Sequence, residues 1–232
     1  MQYHYLLVGL EDLQQGQKPR LSLDALLELL EEQMPARDFQ YISLLRKRND
    51  DPSILAMMED DAVKDRFAQT SLTEEDFRTQ LLYEQGMHCR QKFIRRWYAY
   101  NLDLNNVLAA AICQKHGYDV SRAVVGDSEV AEILRAGGMG KNQTLATLLP
   151  DLKEMIAVSE IQDMLEREKH IDALRWQWLE QATLFEYFEL DNVLAYYLQS
   201  EILHRWDNLT REQGEQIFRS LLADMKRDVK FE

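Results

Sequence analysis

Apolar residues fall at helical spacing along most of this chain. In "LSLDALLELLEEQM", Leu23, Leu26, Leu27 and Leu30 share one face, which predicts a helix of moderate length. "ARDFQYISLLRKR" predicts a second. The opening "YHYLLVGL" fits a short strand or a helix start, because periodicity does not separate the two in so short an apolar run. "QQGQK" with Pro19 marks a loop. "NDDPS" at 49–53 marks a break, since the residue before a proline is held extended. Ser71 with Glu74 three residues on predicts a capping box. No proline follows until Pro150, so the pattern predicts one helix from about 72 to the low 100s, or on to Gly117. Thirty residues at the helical rise would span about 45 Å. Gly117 predicts the stop, and Asp127-Ser128 predicts the cap of "EVAEILRA". "GGMGKN" at 137–142 reads as a flexible loop.

The chain is helical again from about 151. Met164, Ile171, Trp178 and Phe185 lie seven apart, flanked by Ile161 and Leu174, as in a heptad seam. Glu168 and Arg175 occupy neighbouring seam positions, which favours packing inside one bundle over an intermolecular coiled coil. Thr210 predicts the cap of "REQGEQIFRSLLADMKRDV", whose acidic first turn and basic last turn suit the helix dipole. No paired, Val/Ile-rich strand pattern occurs. The fold class is therefore all-α: a long-helix bundle with an N-terminal segment over 1–70 and two related helical units over 71–150 and 151–232.

The two units rest on a doubled string. When Asn106 is set on Asn192, Leu104, Val107, Leu108 and Ala111 fall on Leu190, Val193, Leu194 and Tyr197. Asp103 falls on Glu189 and Asn105 on Asp191. Aromatic residues precede both copies: Trp97, Tyr98 and Tyr100, then Phe185, Tyr187 and Phe188. Asn and Asp compete with the helical backbone for hydrogen bonds, so each string reads as a helix cap or break. The other reading is a buried polar pin that fixes helix register. Under either, the recurrence points to a duplicated helical unit.

Charge narrows the partners. The formal net charge is −13, which excludes a duplex-binding surface of the ordinary basic kind. Two basic runs stand out against it, "RKR" at 46–48 and the group Arg90, Lys92, Arg95 and Arg96. They read as solvated helix face or as a docking patch for an acidic partner. Two cysteines, Cys89 and Cys113, make no disulfide framework and fit a reducing cytosol. The N-terminus lacks the basic and long apolar regions of a signal peptide. No apolar run reaches the roughly 18 residues of a membrane span. A role at a membrane would therefore require another protein to hold the chain there.

Motifs for chemistry fail on spacing. "GGMGKN" has Arg135 and Asn142 where a phosphate loop needs Gly and Ser/Thr, and it follows a helix. Cys113 and His116 can share a helix face, but Cys89 is too far along a continuous helix to join them on one ion. Asp60, Asp61 and Asp65 in "EDDAVKD" miss the spacing of a magnesium-pyrophosphate motif, and adjacent aspartates point about 100° apart. His4, His88, His116, His170 and His204 lie in no metal or triad pattern. The expectation is no catalytic residue, no metal and no cofactor.

"DLNNVLAAAICQKHGYD" resembles the helical repeat of the C-type subunit, also called d-type, of V-type and archaeal-type rotary ATPases. "LEREKHIDALRWQWLEQATLFEYFELDNVLAYYLQSEILHRW" is similar to the short C-type-like proteins encoded with bacterial V-type ATP synthases, a family of unknown function. The similarity is clearest over 72–119 and 160–227. The full-length C-type protein has three such units, where two are plain here. It has an arginine late in the repeat helix, where this chain has Ile112-Cys113 and Ser200-Glu201. The resemblance implies a cytoplasmic, non-catalytic part that couples the central stalk to the membrane rotor ring, held at the membrane by those partners. The alternative is a helical adaptor for some other protein. The candidate contacts are Trp97, Tyr98, Tyr100, Asn106, Phe185, Tyr187 and Asn192, with the basic residues Arg90, Lys92, Arg95 and Arg96.

Overall fold

The computed structural model describes residues 3–139, 143–185 and 189–208. Among these residues the chain forms twelve α-helices and one 3-10 turn, and no strand. The all-α expectation holds. The opening apolar run resolves as helix, α1 (His4–Gly9). The chain divides into two compact units, one of Met1–Pro35 with Thr183–Glu232, the other of Ala36–Ala182. Packing thus groups the chain differently from a division at 70/71 and 150/151.

In the first unit, α2 (Leu23–Gln33) starts where Ser22 accepts a hydrogen bond from the Ala25 amide. Of the four leucines on its predicted face, Leu26 and Leu30 are buried. α2 packs against α12 (Leu190–Asn208). Val193, Leu194, Tyr197 and Leu198 supply the buried face of α12.

The second unit is built around one long helix. It begins with α3 (Ala36–Leu45), α4 (Pro52–Met58), α5 (Asp61–Ala68) and α6 (Glu74–Met87). Pro52 opens α4 rather than only breaking the chain, because a proline at the first helical position forfeits no internal bond. Asp51 caps that helix through the Ser53 amide. Asp60 caps α5, which accounts for one of the clustered aspartates. The α6 cap is Thr73, not Ser71. Thr73 Oγ1 accepts from the Asp76 amide and donates to Asp76 Oδ2. The cap is therefore shifted by two residues, and the Asp76 carboxylate accepts from the Thr73 hydroxyl, not the backbone amide bond of a capping box.

The expected single helix is two. α6 ends at Met87, and α7 runs from Lys92 to His116. Gln91 caps α7 by accepting from the Ile94 amide. Gln is a weak cap by propensity, so the break leaves little mark in the sequence. Arg95 closes the turn: its Nη1 donates to the carbonyls of Cys89 and Arg90 at 2.8 and 2.7 Å. The two helices fold back as an antiparallel hairpin, with Gly86 against the Tyr98 ring and Tyr83 edge-on to Tyr98. α7 ends as predicted. Gly117 takes φ 71°, and the Tyr118 amide reaches back to the Cys113 carbonyl.

The chain then turns through Val120–Arg122 into α8 (Glu129–Arg135), capped by Ser128 as expected. α9 (Gln143–Leu148), α10 (Leu152–Ser159) and α11 (Met164–Thr183) follow. α7 packs against α6, α8 and α10. Leu104, Val107 and Ala110 of α7 meet Val130 and Leu134 of α8 and Met155 and Val158 of α10 in one core. Full burial of each large aliphatic side chain contributes about 1.5–3 kcal/mol, so this core carries the unit's stability. The heptad seam on α11 is real only in its middle. Ile171 and Leu174 are in the core, while Met164 is 58% exposed and Phe185, just past the helix, 84%. Packing inside one unit explains the seam.

Gly86 tests the hairpin. A Cβ placed there would lie 2.2 Å from Tyr98 ring carbons, and a buried ring has no free direction to move. Gly86→Ala is expected to destabilise the protein by about 2–4 kcal/mol in urea unfolding. Gly9→Ala, whose Cβ meets nothing within 4 Å, is expected to change stability by under ~0.5 kcal/mol. Equal behaviour of the two variants would refute the close hairpin.

Candidate functional site

Three groups of polar and aromatic side chains lie along α7, and the residues singled out in the sequence distribute among them. The first is a clamp at its middle. Asn106 lies deep inside α7, 2% exposed. Its Nδ2 donates to the Val125 carbonyl and its Oδ1 accepts from the Val125 amide, both at 2.8 Å. The side-chain amide thus replaces a backbone partner for a buried loop. From the other side, Arg135 Nη2 donates to the carbonyls of Val124 and Gly126. One turn before Asn106, Asp103 Oδ1 accepts from the Ser128 hydroxyl at 3.4 Å. Burial pushes the Asp103 carboxyl up to about 6, and the Ser128 bond only partly offsets it.

The second copy of the string behaves differently. Asn192 sits in the first turn of α12, where its Oδ1 accepts from the Glu189 amide at 3.3 Å. It is a cap. Both readings of the string are therefore realised, one in each copy: Asn106 is a buried pin and Asn192 a helix start. Asn106 is buried and so offers no surface contact, whereas Asn192 is half-buried. Of the aromatics matched to the first copy, Phe185 is exposed, while Tyr187 and Phe188 lie outside the described residues.

The second group joins α7 to α11. Asn101 is buried, its Nδ2 donating to the Trp97 carbonyl and its Oδ1 accepting from Arg175 Nε at 2.9 Å. Arg175 Nη1 also donates to the buried Asp172, at 3.1 Å. Tyr100 donates its hydroxyl to the Leu174 carbonyl, and one turn on from Asn101, Asn105 donates to the Tyr83 hydroxyl. Desolvation lowers the Arg175 pKa from the ordinary arginine range and raises those of Tyr83 and Tyr100. Trp178 lies over this layer. Its ring centre is 5.6 Å from Phe93, 5.5 Å from Trp97 and 5.4 Å from Tyr100. Sequence reasoning missed the network, yet two signals were there. Arg175 interrupts an apolar seam, and Asn101 and Asn105 stand one turn apart.

The predicted aromatic strip therefore splits. Tyr98 and Tyr100 are core residues, Tyr98 with its hydroxyl on the Leu44 carbonyl. Only Trp97 keeps a half-exposed face.

The third group is the basic end of α7. Arg90, Lys92 and Arg96 are exposed, whereas Arg95 is half-buried and spent on the turn carbonyls. Arg96 rests its guanidinium 5.5 Å from the Trp178 ring centre. Among described helices of eight residues or more, α7 alone has no acidic residue in its first turn. Cations at a helix N-terminus oppose its dipole by about 0.3–1 kcal/mol each. The dipole does not account for the placement of Arg90 and Lys92.

A polar cleft of about 380 Å³ also opens in this unit, lined by Arg66, Ser71, Gln80, Ser121, Asp127 and Arg135. Its donors already serve the protein: Arg66 and Gln80 both bond Glu84, and Ser71 reaches the Ser121 carbonyl. Cys89 lies in the turn before α7 and Cys113 in its last turn, and among the described residues no three His, Cys, Asp or Glu side chains gather as a metal site. The loop Gly140–Asn142 and the Thr210 cap lie outside the described residues.

The fold and these groups define an all-α protein whose central helix is clamped by buried polar bonds and bears a basic edge. The family model of DUF2764, described as a protein of unknown function, matches residues 61–229, and the chain belongs to that family. No curated protein and no solved structure matches it.

Two expectations test the site. Asn106→Ala strands both polar groups of Val125 and is expected to cost about 2–4 kcal/mol in urea unfolding. Asn192→Ala, which removes one helix-start bond, is expected to cost about 0.5–1 kcal/mol. Equal costs would refute the split between pin and cap. For Asp103, the folded value near 6 stands above the ordinary 3.8. The folded state then holds its proton more tightly, so this carboxyl's contribution to stability falls as pH rises from about 4 to about 6, and is level above. Asp103→Asn removes that loss. Its stability in urea unfolding is expected to match the parent near pH 4 and to exceed it at pH 7, by on the order of 1–3 kcal/mol after allowing for partial exposure. A difference independent of pH would refute the raised carboxyl.

Proposed function

We propose that this chain is a non-catalytic subunit of a V-type ATP synthase or ATPase, coupling the central stalk to the membrane rotor ring. The observation that carries the reading is the resemblance of residues 72–119 and 160–227 to the C-type protein of rotary ATPases and its short bacterial relatives. The build of the second unit supports it. A part that passes torque must resist local rearrangement, and α7 is tied by side-chain bonds to the loop before α8 and to α11. No described helix is long and apolar enough to cross a membrane, so attachment to the rotor ring is assigned to protein contacts. The half-exposed Trp97 and the exposed Arg90, Lys92 and Arg96 are the contact residues of this reading. Tyr98, Tyr100, Asn106 and Arg95 hold the part together instead.

A helical adaptor for some other protein is the second reading, and the same basic edge favours it. Affinity purification of the tagged chain from its native cells in mild detergent, followed by mass spectrometry, separates the two. Head, stalk and rotor-ring subunits are expected in constant ratio to the chain. Their absence, together with unchanged ATP-driven ion transport in membranes lacking the chain, would end the coupling reading.

A further inference from the structure

The basic edge of α7 is built for a partner of narrow chemistry. Arg90, Lys92 and Arg96 are exposed, and among the described residues none has a carboxylate within ion-pair distance. Lys92 and Arg96 stand one turn apart on α7, about 6 Å along the axis, and so share a face. That face borders the stripe of Phe93, Trp97 and Tyr100 which packs on Trp178. Neighbouring elements add almost no negative charge. Glu180 is the single carboxylate among residues 176–183 of α11, and its Oε1 accepts from the Trp176 indole. On α6, Glu84 is held by Arg66. Arg96 is braced on Trp178, which spares part of the entropy cost of fixing a long side chain.

We propose that this edge is a docking site for a short acidic segment of a partner protein. Aspartate or glutamate side chains would meet Arg90, Lys92 and Arg96, and an apolar side chain would meet the half-exposed faces of Trp97 and Trp178. The size of the patch selects against other polyanions. Without the three cations, the formal net charge goes from −13 to −16. A membrane surface or a nucleic-acid duplex extends well past the screening length of about 8 Å, and would press that remaining charge against its own. A short segment confined to the patch would not. The proposal goes beyond the coupling reading and does not rest on it, since the segment's chemistry is set by α7 whichever complex supplies it.

The full chain is titrated with a synthetic peptide of alternating Glu, Asp and Leu, read by tryptophan emission and by anisotropy of a labelled peptide. Saturable binding is expected, with Kd rising at least about tenfold in R90E/K92E/R96E and affinity falling with added salt. The same charge change made remotely, in R37E/R122E/K153E, is expected to raise Kd by less than about threefold. Circular dichroism and urea midpoints confirm that both variants fold. The proposal is overturned by no saturable binding, or by equal weakening in the two variants. It is equally overturned by tighter binding to duplex DNA or phosphatidylserine vesicles than to the peptide, or by occupation of the site through self-association. The peptide titration contains no ATPase component, so its failure leaves the coupling reading standing, and the reverse also holds.

Discussion

The second unit depends on one side chain bonded to one residue's backbone. The loop from Val124 to Gly126 is buried, and a buried loop must find partners for its amides and carbonyls. Asn106 supplies both for Val125 from inside α7. Once that loop is fixed, Ser128 falls at the start of α8, and Val130, Ala131 and Leu134 are delivered to the core. Arg135, at the end of α8, returns to the carbonyls on either side of Val125. Helix, loop and helix thus close on one another, and the apolar core packs against an arrangement that polar bonds have already chosen.

The same division recurs between α7 and α11. Apolar contacts through Tyr100, Ile171 and Leu174 provide most of the attraction, but such contacts tolerate sliding by a turn. The Asn101–Arg175 bond does not, because a slipped register would part the buried Asn101 amide from the guanidinium, which would keep only Asp172 on its own helix. Its net contribution to stability is small beside its cost if broken. Specific polar bonds at two points of α7 therefore set the register, and the hydrophobic residues hold what has been set.

The edge of α7 follows the opposite logic. Two exposed cations, Arg90 and Lys92, lie where the helix dipole disfavours them, and a third, Arg96, rests on an aromatic group that is only partly covered. Groups placed against local stability mark surfaces used for something else. The side chains bonded to one another around the middle of α7 contrast with this edge, whose three cations have no carboxylate in ion-pair distance among the described residues.

Periodicity alone decided the all-α class, the stop at Gly117 and the Ser128 cap, because each is a local property carried by residues close in sequence. The hairpin between α6 and α7 escaped it. Its break uses a glutamine cap and an arginine six residues past Cys89, and neither carries a strong local preference. The doubled asparagine string showed that something recurs, but not what. Asn106 and Asn192 have nearly the same neighbours in sequence and different jobs, a pin in one helix and a cap on another. The partner of Asn106 is nineteen residues away and that of Asn192 three. Likewise, Tyr98 and Tyr100 looked like the contact strip and are core, while Trp97 beside them keeps an open face. The sequence determined which residues can make helices and which are able to make polar bonds. Only the tertiary structure decided where those bonds go, because burial and partner both depend on chain brought in from far along the sequence.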